Sequence, residues 1–77
     1  MISRLTLYTR AGCHLCERAE DLLAAHAVSC RLVDVDADTA ARENFGLRVP
    51  VLTYREAVLL EGRIEERELL TVLKPLQ

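Results

Sequence analysis

The stretch from residue 10 to residue 16 reads Arg10-Ala11-Gly12-Cys13-His14-Leu15-Cys16. It follows a short apolar segment and opens a segment with helical periodicity, so its two thiols lie at the start of a predicted helix. Thiols at this spacing beside a helix N-terminus are typical of a reactive pair, because that position favours the thiolate form. Most of the remaining chain can be interpreted as the framework that holds this strand-to-helix turn and its two thiols.

Length and composition limit the possible classes of protein. The 77 residues predict a single domain covering positions 1–77, and a hydrophobic fraction of 51% is enough for a core. The net charge of −2 argues against a nucleic-acid partner, which would require a basic surface. No apolar run approaches 18 residues, and the N-terminus lacks the apolar region of a signal peptide. We therefore expect no membrane partner and a cytoplasmic location.

The cysteine count does not fit a structural disulfide framework. The chain has three cysteines, and structural disulfides are rare in the cytoplasm. Closing the small loop between Cys13 and Cys16 contributes only about 2 kcal/mol in the chain-entropy estimate. A disulfide that constrains the chain so little is better explained as one that is made and broken.

The first half of the chain predicts a β-α-β unit. A strand is expected from Ile2 to Tyr8, a helix from Cys13 to about Ala27, and a second strand from Val28 to Asp36. No Ser, Thr or Asp precedes the helix, so Cys13 occupies the N-cap position and its thiolate can accept from the first amides. The second strand is apolar on both parities, which predicts a parallel strand covered on both faces. The predicted core face of the helix comprises Leu15, Ala19, Leu22, Leu23 and His26.

The second half predicts a helix, a hairpin and a last helix. The second helix runs from about Thr39 to Phe45, with Gly46 as its C′ residue. Two strands, Val51–Tyr54 and Ala57–Leu60, meet at Arg55-Glu56, although that dipeptide is a weak hairpin signal. The last helix spans about Glu65 to Lys74, and Pro75 ends it. Its predicted core face comprises Ile64, Leu69, Leu70 and Leu73. The predicted class is α/β, with the order β-α-β-α-β-β-α.

Two motifs resemble those of the small bacterial glutaredoxin-like proteins. They are Tyr8-Thr9-Arg10-Ala11-Gly12-Cys13-His14-Leu15-Cys16 and Arg48-Val49-Pro50-Val51. The resemblance covers essentially the whole chain and implies a thioredoxin-like fold, with a four-stranded mixed sheet in the order 2-1-3-4 and three helices. It also implies a cis bond between Val49 and Pro50, and pairing of the Val49 backbone with an extended substrate segment.

The resemblance implies a thiol–disulfide oxidoreductase that works through a mixed disulfide. Cys13 is assigned as the attacking nucleophile and Cys16 as the resolving thiol. The substrate-binding candidates are Arg10, His14, Leu15, Val49 and Pro50. No metal and no resident cofactor are expected, and we expect a monomer.

The predicted partners are disulfide-containing proteins or glutathione mixed disulfides, together with a reductant from the glutathione or thioredoxin system. Dithiol glutaredoxins commonly carry Pro-Tyr between the cysteines and a Gly-Gly pair followed by an Asp that holds glutathione. This chain has His14-Leu15 and Glu61-Gly62-Arg63-Ile64 at those places. Glutathione as a co-substrate is therefore left open.

Two other functions remain open from the sequence. One is a carrier of an iron–sulfur cluster bridged across a dimer, because partners or glutathione can complete the ligand set. The other is a binding module of thioredoxin fold without turnover. A structural zinc site is disfavoured, because zinc usually takes four ligands and there is no second Cys-x-x-Cys.

Several further residues have alternative interpretations. A protonated His14 would favour the thiolate, or the side chain is merely exposed. Cys30 is interpreted as a small buried hydrophobe, with a regulatory thiol as the alternative. His26 is expected to pack. Tyr8 is also expected to pack, with a position bordering the thiol pair as the alternative. The acidic residues Glu65, Glu66 and Glu68 are interpreted as a solvated helix start.

Overall fold

The computed structural model describes residues 4–77. The elements are β1 (Leu5–Thr9), α1 (His14–Ala25), β2 (Arg31–Asp34), α2 (Thr39–Phe45), β3 (Val51–Tyr54), β4 (Ala57–Glu61) and α3 (Glu66–Leu73). Short 3-10 turns at Val35–Ala37 and Lys74–Leu76 follow β2 and α3. This order confirms the predicted one. The predicted start of the first strand, at Ile2, lies outside the described residues.

The four strands form one mixed sheet in the order β2-β1-β3-β4. β1 runs parallel to β2 and antiparallel to β3, and β3 runs antiparallel to β4. The predicted sheet order and the thioredoxin-like fold are thus confirmed. Because β1 is a central strand, the Cys13–Cys16 stretch that follows it emerges from the middle of one sheet end.

The two faces of the sheet are covered by different helices. α1 and α3 pack on the face that carries Leu5 and Leu7, whereas the Tyr8 ring on the other face contacts Phe45 of α2 at a centroid distance of 4.4 Å. This contact confirms that Tyr8 packs. The core between the sheet, α1 and α3 comprises Leu5, Leu7, Ala19, Leu23, Leu52, Ile64, Leu69 and Leu73. Within the described chain, no helix is long and apolar enough to cross a bilayer.

The C-terminus of α1 explains why the second strand starts later than predicted. Ala27 adopts a left-handed φ of 54°, and its amide donates to the Ala24 carbonyl. The Val28 amide donates to the Leu23 carbonyl at 2.9 Å, which completes a Schellman motif. These bonds commit the Val28 backbone to the helix end. The prediction of a strand from Val28 was therefore wrong, and β2 begins at Arg31.

β2 is the outer strand of the sheet, and the prediction that both of its faces are covered was also wrong. Leu32 is 54% exposed, and Arg31 and Asp34 are exposed as well, so the helices do not cover this strand fully. The strand also ends earlier than predicted. The Asp34 carboxylate accepts a hydrogen bond from the Asp36 amide at 2.9 Å, which turns the chain into the 3-10 turn at Val35–Ala37.

Three local features of the second half refine the sequence predictions. Gly46 follows α2, but its φ of −55° is right-handed, so it is a C-cap residue rather than a left-handed C′ residue. Leu70 is 44% exposed and does not belong to the core face of α3. The hairpin at Arg55-Glu56 is present, and both residues have positive φ values, as a type I′ turn requires.

Candidate active site

Cys13 caps the N-terminus of α1. Its backbone is extended, and its Sγ accepts a hydrogen bond from the Cys16 amide at 3.2 Å. This arrangement confirms the predicted N-cap position and satisfies one of the amides that a helix start leaves without a partner. Cys13 is half-buried, and the amide dipole that points at its sulfur favours a negative charge there.

Cys16 lies one turn further along α1 and is fully buried. Burial raises the pKa of its thiol, and the hydrogen bond with Cys13 adds to that rise. The Thr9 side chain and the Arg10 backbone act in the opposite direction. The two cysteines therefore differ, since Cys13 is partly exposed at the helix start and Cys16 is buried behind it, with a raised pKa.

Arg10 connects the turn before Cys13 to the loops around it. Its guanidinium donates from Nε and Nη2 to the two Asp36 carboxylate oxygens, at 2.9 and 3.0 Å. Nη1 donates to the Gly46 carbonyl at 2.8 Å. The hydrogen bond from Arg10 lowers the pKa of Asp36. Arg10 was predicted to bind substrate, and the structure places its guanidinium on these two neighbours.

Arg48 makes an equivalent connection on the other side of the site. Its Nε and Nη2 donate to the Glu61 carboxylate at 3.1 and 2.6 Å, and Nη1 donates to the Asn44 carbonyl at 3.3 Å. Its Cζ also lies 5.3 Å from the centre of the Phe45 ring. Together these contacts fix the loop between α2 and β3 to the end of β4.

The Val49–Pro50 peptide bond at the end of this loop is cis. The strand register pairs Tyr8 with Val51, which brings Pro50 beside Thr9, shortly before Cys13. Pro50 is buried, and its carbonyl accepts from the Gly62 amide at 2.9 Å. The two motifs that are distant in sequence thus meet at one end of the sheet.

Exposed side chains surround this end of the molecule. The His14 side chain is 98% exposed, and its Nδ1 lies 3.9 Å from a Glu17 oxygen. Leu15 is half-buried and helps to line an open groove of about 680 Å³ along α1, which Arg63 also lines. Leu47, on the loop before Val49, is fully exposed. No pattern in the sequence singles out Leu47.

The other predicted residues lie away from the thiol pair. Cys30 precedes the amino end of β2, whereas Cys13 follows the carboxyl end of the parallel strand β1, so the two lie at opposite ends of the sheet. Cys30 is half-buried against the core and does not lie inside a strand. Burial raises the pKa of its thiol, and the negative charge of the nearby Glu20 raises it further.

The acidic cluster at the start of α3 holds that helix to α1. His26 Nε2 lies 2.7 Å from Glu66, and Arg18 donates to Glu65 at 2.9 Å. Glu68 accepts from the Glu65 backbone amide at 3.2 Å. The interpretation of the cluster as a solvated helix start was incomplete, and His26 makes a polar contact at the helix end.

The sequence did not reveal the acidic partners of the two arginines. Asp36 was noted only as the end of the predicted second strand, and Glu61 only as part of the Glu61-Gly62-Arg63-Ile64 segment. The sole available signal for Arg48 was its place before Val49-Pro50. Within residues 4–77, no three His, Cys, Asp or Glu side chains are grouped so as to hold a metal ion.

Comparisons with known proteins agree with this geometry. Residues 4–74 match the family model described as the glutaredoxin-like domain (DUF836). The X-ray structure of target protein XcR50 from X. campestris is similar at a TM-score of 0.81 and 39% identity, covering 92% of this chain and 96% of that one. The solution structure of XcR50 is similar at a TM-score of 0.72 and 37% identity, with coverage of 97% and 95%.

A malarial protein of known structure shares the fold alone, at a TM-score of 0.57 and 14% identity over 94% of this chain and 93% of that one. None of the proteins with curated descriptions matches the chain. The family match spans both the cysteine pair and the Val49-Pro50 segment, and XcR50 matches nearly the whole length of the chain. The chain therefore belongs to the glutaredoxin-like domain family (DUF836).

Proposed function

We propose that the protein is a thiol–disulfide oxidoreductase in which Cys13 attacks and Cys16 resolves. The supporting observation is the asymmetry of the pair. Cys13 is partly exposed and its Sγ accepts a hydrogen bond from the Cys16 amide at the helix start, whereas Cys16 is fully buried. Substrate sulfur reaches Cys13 first, because Cys16 has no exposed surface.

In the first step, the Cys13 thiolate attacks one sulfur of a substrate disulfide. A bond forms between Cys13 and that sulfur, the substrate S–S bond breaks, and the other substrate sulfur leaves as a thiolate that takes a proton from solvent. The helix N-terminus stabilises the attacking thiolate. The product is a mixed disulfide between Cys13 and the substrate.

In the second step, Cys16 loses its proton and attacks the Cys13 sulfur. The substrate leaves with the electron pair of the mixed disulfide as its second thiol, and a Cys13–Cys16 disulfide remains. The substrate has gained two electrons and the protein has lost two. Because burial raises the pKa of Cys16, this step is expected to slow as the pH falls.

The substrate is proposed to be a protein disulfide that contacts the loop before β3. Its extended segment would pair with the Val49 backbone, while Leu47 on the same loop supplies an apolar contact. His14 and Leu15 would border the bound segment on the helix side. Arg10 supports this loop through its hydrogen bond to the Gly46 carbonyl, and Arg48, which lies on the loop, connects it to the Asn44 carbonyl of α2.

For the reductant, we favour a protein dithiol of the thioredoxin type over glutathione. Glutathione is bound through its carboxylates, and arginine is the usual partner of a carboxylate. At this site Arg10 is already paired with Asp36 and Arg48 with Glu61. Each guanidinium already has a carboxylate that neutralises its charge, so its attraction for a second carboxylate is weakened.

A redox titration with competing reductants tests the proposal. The Cys13–Cys16 disulfide is equilibrated with a glutathione buffer or a thioredoxin couple, and the oxidised fraction is read by alkylation and intact mass. We expect a two-electron transition in both buffers and, in a time course that starts from the oxidised protein, faster reduction by thioredoxin than by glutathione. A pair that stays reduced across the range would overturn the proposed function, and faster reduction by glutathione would overturn the choice of reductant.

The iron–sulfur alternative is tested separately. Anaerobic reconstitution with iron and sulfide is followed by a visible absorption spectrum and by size-exclusion chromatography. The dithiol proposal expects a monomer without cluster absorption. A coloured dimer that loses its absorption on Cys13→Ser substitution would favour the cluster carrier.

A further inference from the structure

Three arginines lie together at the end of the sheet opposite the thiol pair. Arg4 precedes β1, Arg31 begins β2, and Arg55 follows β3. The strand register explains their proximity. Thr6 of β1 pairs with Arg31, and Leu5 pairs with Tyr54, so the three residues stand at the ends of adjacent strands. The Arg55 amide also donates to the Arg4 carbonyl at 3.2 Å.

These arginines line one open cavity of about 600 Å³. The hydroxyl residues Thr6 and Ser29 line the same cavity, and Glu56 is the only acidic residue among its described lining. Within residues 4–77, none of the three guanidinium groups lies within 4.0 Å of a carboxylate oxygen. The three residues before Arg4 carry no acidic side chain in the sequence.

The charge distribution makes this cluster unusual for the chain. The protein has a net charge of −2, and its other end pairs arginines with carboxylates. Three like charges around one cavity repel one another, and an anion in the cavity would relieve that repulsion. Guanidinium groups present a planar fork of donors that matches the oxygens of phosphate, and the nearby hydroxyls can donate as well.

The backbone at this cavity is strained. Arg4, Arg55 and Glu56 all have positive φ values, of 67°, 49° and 71°. A left-handed conformation costs a residue other than glycine roughly 1–2 kcal/mol, so glycine or asparagine would be favoured in this turn on local grounds. The chain instead places charged side chains there, as is common where a side chain serves binding.

We propose that Arg4, Arg31 and Arg55 form a binding site for a phosphate group on a small anionic ligand. This site is separate from the thiol pair and does not depend on the proposed oxidoreductase function. The cavity volume lies within the range of small-molecule sites, about 300–1,000 Å³.

The test is a titration with inorganic phosphate, followed by backbone amide chemical shifts in ¹H–¹⁵N spectra at constant ionic strength. We expect saturable shifts at Ser29, Arg31 and Arg55, and weaker effects from acetate, which has a single charge. Arg31→Gln is expected to weaken phosphate binding by about tenfold, which corresponds to ~1.4 kcal/mol. Arg55→Gln should act similarly.

Arg67→Gln is the matched control, because it removes the same charge from the exposed surface of α3. It should leave phosphate binding unchanged, and a thermal melt should show that all three variants are folded. Shifts that fail to saturate would overturn the proposal. So would equal responses to phosphate and acetate, or equal weakening by Arg67→Gln and Arg31→Gln.

Discussion

The two ends of the sheet use arginine in opposite ways. At the end that carries the thiol pair, Arg10 is bound by Asp36, and Arg48 is bound by Glu61. At the hairpin end, Arg4, Arg31 and Arg55 share a cavity with one acidic residue. The first end is held in place by charge pairs, whereas the second presents unneutralised charge.

This difference indicates which end has a fixed shape. Arg10 and Arg48 each donate to a carboxylate and to a backbone carbonyl on the segment that leads to Val49-Pro50. Such contacts add specificity of geometry more than stability, because exposed ion pairs contribute little to the free energy of unfolding. We infer that Arg10 and Arg48 position the loop before β3, whereas the three arginines at the hairpin end are free to bind an anionic ligand.

The largest predicted effect separates the cysteines of the two ends. Cys13→Ser should lower disulfide reduction to the uncatalysed background, because it removes the attacking thiolate. Cys30→Ser, the same substitution at the other end of the sheet, should leave the rate unchanged. Turnover of a disulfide substrate is the measurement. A large loss of rate in the Cys30 variant would break the comparison by giving both ends a part in the reaction.

A smaller effect is predicted for the loop at the thiol end. Arg48→Gln removes the bidentate pair with Glu61 and the contact with Phe45, so Val49 loses part of its support. We expect a fall of about tenfold in kcat/KM, since misplacement of about 1 Å costs up to ~100-fold.

The melting temperature of the Arg48 variant should change little, and Arg67→Gln is the matched charge control. Cys13 alkylation should proceed at the wild-type rate, because the thiol itself is untouched. An unchanged kcat/KM, or a loss equal to that of the control, would mean that Arg48 does not position the loop.

The smallest effect is a pH dependence of stability at Asp36. Arg10 holds the folded pKa of Asp36 below its ordinary value of 3.8. Protons therefore bind the unfolded state first, and this contribution is present above pH 3.8 and lost as the pH falls through the lower folded value. Asp36→Asn should lack this loss.

The contribution of Asp36 to stability is measured by urea unfolding of the wild type and of Asp36→Asn at pH 7 and below pH 3.8. The two proteins should differ at pH 7 and converge in acid. If the difference in the free energy of unfolding between the two proteins is the same at both pH values, the ion pair of Asp36 with Arg10 does not contribute to stability.

The fold was predictable because local signals agreed with one another. The switch from strand to helical periodicity at Cys13 and the absence of another N-cap residue located the helix start correctly. The predictions were wrong where burial or strand position depends on tertiary structure. Leu32 looks like a core residue, but β2 is an edge strand. Val28 looks like a strand residue, but its amide is used by the end of α1.

The site was predictable only in part for the same reason. Cys13 and Cys16 are close in sequence, so their relation follows from helix geometry. Asp36 lies 26 residues from Arg10, and Glu61 lies 13 residues from Arg48. Nothing in the local sequence indicates such pairs, because they depend on how the sheet brings its strand ends together.

The most direct test of the central claim traps the reaction half-way. Cys16→Ser is mixed with a disulfide substrate, and the product is mapped by peptide mass spectrometry. The asymmetry of the two thiols predicts a stable mixed disulfide on Cys13 in this variant, and a Cys13–Cys16 disulfide without accumulated adduct in the wild type. An adduct on Cys30, or a Cys16→Ser variant that turns over at the wild-type rate, would contradict the assignment of Cys13 as attacker and Cys16 as resolver.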